Sequence, residues 1–299
     1  MTAKWVQYKT FSGYIVRGGP KFDHPVNPAL HIDRAVYIAG QLEAANWGTV
    51  QGYDGAGMSG GILHNIAVSP KDLSQGSFFT LLARVFSAAP AVSSEVIANL
   101  KIVGWHVSPD GVLRNADGLK VPGRDIRNEF SGPEGQVPAT GPISKAQKWA
   151  ERFHKLFVSP ATWSAQSNYA AEWIAGGNKI DEHMVYDYFG RGPKLDSVIS
   201  LPSAALPPEV DLAMCVYHAF SVNAPAIAAK CLDGVKYVGQ TADQFALAII
   251  KSLGTSKYGN WQDQPHSIGN RYDRTRRAVW AREDLWPVTM TRHLMPTDL

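Results

Sequence analysis

The sequence predicts an α+β chain, mostly helical, with one small glycine-rich sheet near its start. Three observations carry that expectation. From Pro28 onward, apolar residues recur at helical spacing through most of the chain. Five glycines crowd into Gly52–Gly61 and lead into apolar residues that alternate as in a strand. And 299 residues at 45% hydrophobic and 18% charged are enough to bury a substantial core, which excludes a disordered chain.

Residues 1–27 read as an N-terminal arm with one or two short strands, ending among prolines and glycines. In the helix that follows, Ile32, Val36, Ala39 and Glu43 fall at i, i+4, i+7 and i+11, so a carboxylate shares the apolar stripe while Asp33, Arg34 and Gln41 lie off it. Asn46 and Gly48 end that helix, and residues 50–68 read as a hairpin or a short three-stranded sheet. SFFTLLARVFSAAP and AVSSEVIANLKIVG are two further helices with a joint at Pro90. Residues 104–142 break the pattern with glycine and proline and read as a long connection, shortened by a small hairpin around Asp110 and Gly111. Helical signals resume in ISKAQKWAERFHKLF, ATWSAQSNYAAEWIAGG, PEVDLAMCVYHAFSV, TADQFALAIIKSLG with Thr241 as its cap, and HSIGNRYDRTRRAVWAREDLWP. No internal repeat is visible, and residues 28–299 read as a single domain.

Charge and cysteines narrow the function classes. The formal charge of +3 arises from 29 basic and 26 acidic residues without a basic block, so no nucleic-acid footprint is expected. Cys215 and Cys231 are too few for a disulfide framework; they read as two buried thiols, or as a bridge if their helices fold back. The start of the chain shows no signal-peptide pattern, and no apolar run reaches the length of a membrane span. Synthesis in the cytoplasm is expected, with any action outside depending on other machinery.

Hydrolysis of a glycosidic bond needs an acid to protonate the leaving oxygen and a second polar group to stabilise the cationic sugar or to position water. Burial favours the protonated form of a carboxyl, and Glu43 lies on the stripe of its helix where burial is expected. Asp54 and Ser59 follow it by 11 and 16 residues, close enough for a hairpin to set both across a cleft from Glu43. Asp54 before Gly55 is also an ordinary turn pair, and Ser59 can bond local backbone. Glycine in a strand weakens it unless another backbone or a ligand approaches closely, so the glycines, Gly57 and Gly60 among them, are expected to form a wall against which a sugar chain lies.

The order LE, then YD, then GMSGGI resembles the helix-glutamate, hairpin-aspartate, hydroxyl arrangement of phage-type lysozymes, where YKD and YTIGIGH hold the corresponding places. It is similar also to the lysozyme-like superfamily at large, including chitosanases, whose glutamate is followed by a GDGRG stretch. That resemblance covers residues 30–66, and WAERFHKLFVSPATWSAQSNYA resembles a helix pair of larger wall hydrolases in the same superfamily. It implies a lysozyme-like helical domain, with the small glycine-rich sheet as one wall of the cleft, that cuts the β-1,4 glycan backbone of peptidoglycan. Carried over, Glu43 is the general acid, Asp54 the carboxylate near the anomeric carbon or the attacking water, and Ser59 the hydroxyl holding that water. The segment between Glu43 and Asp54 is two residues longer than in the compact phage enzymes. If Asp54 serves only the turn, the same fold can run as a lytic transglycosylase, which needs the glutamate alone. A chitosanase-like activity and a catalytically silent glycan-binding phage protein are the remaining alternatives.

Tyr53 and His64 flank the same stretch, Trp47 sits beside it as a stacking platform, and Gln166 and Tyr169 on the SAQSNYA helix are within possible reach of substrate. These are the expected binding residues, although a lone histidine or a helix lined with Trp163 and Trp173 is more often structural. His183 and Asp187 are spaced i, i+4 but lack a third ligand, so no metal is expected. The arginines of GNRYDRTRRAVWARED read as a solvated, salt-bridged face, or as a contact for wall carboxylates and phosphates. No P-loop, dinucleotide fingerprint or GxSxG elbow occurs, and no cofactor is expected. The implied partner is peptidoglycan or a related amino-sugar polymer, reached in the periplasm or at the wall after phage release or delivery by a secretion machine, with an immunity protein as a further possible partner.

Overall fold

The computed structural model describes residues 2–8, 11–44, 46–52, 56–131, 145–177, 208–221, 244, 248, 252 and 271–286. The described chain is α+β and mostly helical, with one small antiparallel sheet and a separate hairpin. It divides into two compact units, Met1–Phe22 with Glu43–Tyr169, and Asp23–Leu42 with Ala170–Leu299. Among the described residues no helix is long and apolar enough to cross a membrane.

The first unit holds a five-stranded sheet in sequential order, β1 (Lys4–Tyr8), β2 (Phe11–Val16), β3 (Val50–Gln51), β4 (Ser59–Gly60) and β5 (Asn65–Ile66). All neighbours are antiparallel. The residues read as an arm therefore supply its first two strands. Their aromatic and β-branched residues suit a pleated surface, and Trp5 sits opposite Tyr14 with the rings edge to face at 5.0 Å. The three short strands β3–β5 realise the sheet expected over residues 50–68.

Behind the sheet pack α2 (Phe78–Ala88), α3 (Pro90–Ile102), α4 (Gly123–Phe130) and α5 (Lys145–Phe157). Proline opens α3 because the first helical residue has no use for an amide hydrogen. In α5, Ala146, Trp149, Ala150, Phe153, Leu156 and Phe157 form one buried stripe. Phe78, Phe130 and Trp149 meet Phe153 at ring separations of 4.9, 5.5 and 5.5 Å, an aromatic core that buries far more area than aliphatic residues of equal number would.

The stretch read as a long connection is largely ordered by local chemistry. β6 (Trp105–Val107) and β7 (Leu113–Asn115) form the expected hairpin, with Gly111 at φ 78 and Asp110 accepting from the Ser108 hydroxyl. Beyond it, α4 was not evident from the sequence. Its stripe is short and mixes Ile126 and Phe130 with Glu129, and that buried acid has its partners elsewhere: Trp149 Nε1 donates to it at 2.9 Å and Lys145 pairs with it.

In the second unit, α1 (His31–Glu43) meets α7 (Pro208–Ser221) and α8 (Arg271–Trp280), α1 belonging to it through Leu42. A helix α6 (Trp163–Gly177) begins in the first unit and continues into the second. The TADQFALAIIKSLG helix lies outside the described residues except at 244, 248 and 252.

Candidate functional site

Glu43 is the last residue of α1 and begins the second segment of the first unit. The residue is half-buried, with its carboxylate Oε1 fully buried. The turn that follows is fastened at several points. Thr49 Oγ1 donates to the Ala44 carbonyl at 3.4 Å, the Trp47 amide donates to the Pro20 carbonyl at 3.2 Å, and the ring of the buried His154 lies with Nδ1 2.6 Å from the Gly48 carbonyl. Gly48 is required there, since a Cβ would stand 2.3 Å from Val158 Cγ1 and 2.8 Å from His154 Nδ1. The chain then enters β3 directly.

On the sheet, Gln51 and Ser59 are directly opposed. The Ser59 hydroxyl, on a residue only 1% exposed, donates to the Gln51 carbonyl at 3.4 Å. His64, at φ 48 in the turn whose amide bond returns to Gly61, brings its ring within 3.2 Å of the Gln51 amide nitrogen. The structure thus gathers Gln51, Ser59 and His64 on β3, β4 and the turn after β4. Gln51 was not singled out from the sequence, and its place opposite Ser59 follows only once the register is known. Tyr53 and Asp54 lie outside the described residues.

The glycines lie against the protein's own atoms. A Cβ on Gly57 would stand 3.1 Å from Arg127 Cα, and one on Gly60 would stand 2.9 Å from the Phe157 ring and 3.2 Å from the Phe78 ring. One on Gly61 would meet Leu81 at 2.8 Å and Gln166 Oε1 at 3.2 Å. The helices α2, α4 and α5 press that close because these positions have no side chain.

Gln166 is held by its amide nitrogen, which donates to the Phe157 carbonyl at 3.0 Å and to Thr162 Oγ1 at 3.1 Å; this turns its oxygen toward Gly61. Trp163, Gln166 and Ser167 occupy one face of α6, and their Nε1, Oε1 and Oγ atoms are buried without a partner among the described residues. Trp47 is 3% exposed: its ring stacks on Trp163 at 4.9 Å and 5°, and Phe22 meets it edge-on at 4.7 Å. Tyr169 is buried in the aromatic core.

The second unit contains a polar cluster that sequence reasoning missed. Asp211 Oδ1 accepts from Arg34 Nη2 at 2.6 Å and lies 2.5 Å from His31 Nδ1, while Oδ2 accepts from Arg34 Nε at 2.9 Å and Trp286 Nε1 at 3.2 Å. His31 Nε2 lies 3.2 Å from His218 Nδ1. Burial alone would raise the Asp211 carboxyl, but the hydrogen bonds and charges of His31 and Arg34 outweigh it and hold the group below the usual carboxylate value. Burial, and then the charge of His31, push His218 well below its ordinary value. Burial, and then Asp211, push the Cys215 thiol well up. The available signal was the row Asp211, Cys215 and His218 at i, i+4 and i+7 of an otherwise apolar helix, which demands a counter-charge from elsewhere.

His31, Asp211 and Cys215 each present a ligand atom within 4.8 Å of the others. A divalent cation fits poorly there. Arg34 already neutralises Asp211 through two bonds, and the 2.5 Å contact between His31 and Asp211 leaves no room for an ion between them. The pair His183 and Asp187, and Cys231, lie outside the described residues.

No protein-family model, curated protein or solved structure matches this chain.

Proposed function

We propose that the chain is a lysozyme-like hydrolase of the peptidoglycan backbone, with Glu43 as its general acid. The supporting observation is the placement of Glu43: a carboxyl at the very end of a helix, one oxygen buried, joined through a pinned turn to short antiparallel strands that carry Ser59. In the reaction Glu43 gives its proton to the glycosidic oxygen, the C1–O bond breaks with its electron pair leaving on that oxygen, and water adds at C1 while its proton returns to the carboxylate. Asp54 is the second carboxylate of this reading, and Ser59 holds the water. Release with phage progeny or delivery by a secretion machine would bring the protein to the wall. A lytic transglycosylase would use Glu43 alone, and a chitosanase would turn the same acid on a deacetylated polymer.

A second reading, without catalysis, is favoured by the burial of Ser59, whose hydroxyl donates to the Gln51 carbonyl. In it the chain is a catalytically silent glycan-binding protein of a phage particle. Turbidity of purified sacculi separates the two. The hydrolase clears the suspension and Glu43→Gln does not; the silent protein pulls down with sacculi and leaves turbidity unchanged with either sequence.

A further inference from the structure

The backbone leaving Glu43 is fastened in stages. Thr49 Oγ1 donates to the carbonyl of Ala44, the residue bonded directly to Glu43, and so closes the turn on itself. The Trp47 amide donates to the Pro20 carbonyl, and Asn46 pairs with Lys21 in an isolated antiparallel bridge. These bonds join one irregular segment to another or to itself. None of them reaches a helix, and two loops bonded only to each other can shift together.

His154 supplies the anchor. It stands near the end of α5, whose stripe of Trp149, Phe153 and Phe157 lies in the aromatic core. Its ring, on a residue only 7% exposed, holds Nδ1 2.6 Å from the Gly48 carbonyl oxygen. A carbonyl only accepts, so Nδ1 carries the hydrogen in this contact. The same end of α5 is shaped to both irregular segments. A Cβ on Gly19 would stand 2.8 Å from Val158 Cγ1 and 3.5 Å from His154 Cε1, and Gly48 faces the same two side chains. Both segments therefore rest on one wall made by His154 and Val158, and the His154 donor ties the turn after Glu43 to a helix rooted in the core.

We propose that His154 is the positioning residue for the general acid: by donating to the Gly48 carbonyl it fixes the turn that Thr49 closes on Ala44, and with it the peptide bond through which the backbone leaves Glu43. This rests on the hydrolase reading above. Every group in the relay, Glu43, Ala44, Gly48, Thr49 and His154, belongs to the first unit. Displacing a catalytic group by about 1 Å costs on the order of a hundredfold in rate, so the clamp acts on turnover rather than on substrate binding.

The test compares the full-length protein with His154→Phe, His154→Asn, Trp149→Phe and Glu43→Gln, measuring kcat and KM on soluble peptidoglycan fragments alongside a thermal melt. His154→Phe keeps a ring and loses the donor; it is expected to lose about 10- to 100-fold in kcat with KM within about twofold. His154→Asn, whose amide nitrogen is bonded to Cγ as Nδ1 is, restores most of that kcat even where its melt is lower. Trp149→Phe cuts the bond to Glu129 on the same helix and is expected to lower the melt with kcat near that of the parent. Unchanged turnover in His154→Phe beside an inactive Glu43→Gln overturns the inference and leaves the hydrolase reading standing. Equal losses of kcat in His154→Phe and Trp149→Phe, or an Asn variant no better than Phe, also overturn it, because the clamp is then only structural. Should His154→Phe not fold, Thr49→Val, which cuts the bond back to Ala44, carries the test: a selective loss of kcat supports the inference and a parental kcat overturns it. A parent without cleavage dependent on Glu43 overturns both.

Discussion

Replacing Asp211 by asparagine probes the buried cluster most sharply, because the side chain keeps its shape and loses only charge and acceptors. The carboxylate accepts from Arg34 twice, from Trp286, and lies against His31 Nδ1, all on residues almost wholly buried. An asparagine amide offers one oxygen. Its NH2 group would face Arg34 Nε and Trp286 Nε1, or Arg34 Nη2 and His31, so donors meet donors while the guanidinium keeps its charge without a counter-ion. Removing one partner of a buried pair costs about 3–5 kcal/mol, because an uncompensated charge stays behind. Urea unfolding followed by far-UV circular dichroism should show that loss as a lowered midpoint at unchanged slope. The double variant Arg34→Met with Asp211→Leu should recover most of it, since an apolar pair of similar volume removes the charge problem. A loss below about 1 kcal/mol in Asp211→Asn, or a double variant no better than the single, would refute the claim that this pair is mutually dependent.

The same cluster sets a pH response. His218 is held well below its ordinary 6.5, so below that pH the unfolded chain takes up a proton that the folded one refuses, and stability falls as pH drops. The expected slope is about 1.4 kcal/mol per pH unit from this one site, removed in His218→Gln; urea midpoints between pH 7 and pH 5 that stay level would contradict it. Asp211, held below 3.8, adds a further loss only under stronger acid, as pH falls through its folded value. Among the glycines, Gly123→Ala would drive a Cβ to 2.0 Å from the Leu73 carbonyl oxygen and should cost about 1–3 kcal/mol or more in a thermal melt. Gly118→Ala, at φ +76 with open space around it, should cost only the backbone term of about 1–2 kcal/mol. Equal losses at the two positions would contradict the packing account.

What the sequence disclosed and what it hid divide along a physical line. Features written in neighbouring residues were legible: the stripe of α1 ending at Glu43, the joint at Pro90, the turn at Asp110–Gly111, and short strands around the glycines. Features written in distant residues were not. Arg34 lies off the apolar stripe and looks solvated, yet its counter-ion stands 177 positions away. The glycines suggested a surface left bare for a sugar, while the atoms facing them belong to Arg127, Phe157, Phe78 and Leu81, which only the tertiary fold brings there. Trp47 next to the glycines suggested an open platform, and its partner Trp163 comes from a helix more than a hundred residues later. α4 stayed hidden because its short stripe includes a charged residue whose partners, Trp149 and Lys145, are on α5. Around the candidate site, the helix end at Glu43 and the hairpin carrying Ser59 were legible from spacing, whereas the place of Gln51 and the clamp of His154 on the Gly48 carbonyl needed the register and the packing of α5.

Mass spectrometry of the soluble products from purified sacculi puts the central claim to its most direct trial. Intact chain should release muropeptide-bearing disaccharides with reducing ends, and Glu43→Gln, folded with an unchanged melt, should release none. Fragments of the same kind and yield from the Glu43→Gln protein, or none from either, would contradict a glycan-cleaving role for this carboxyl.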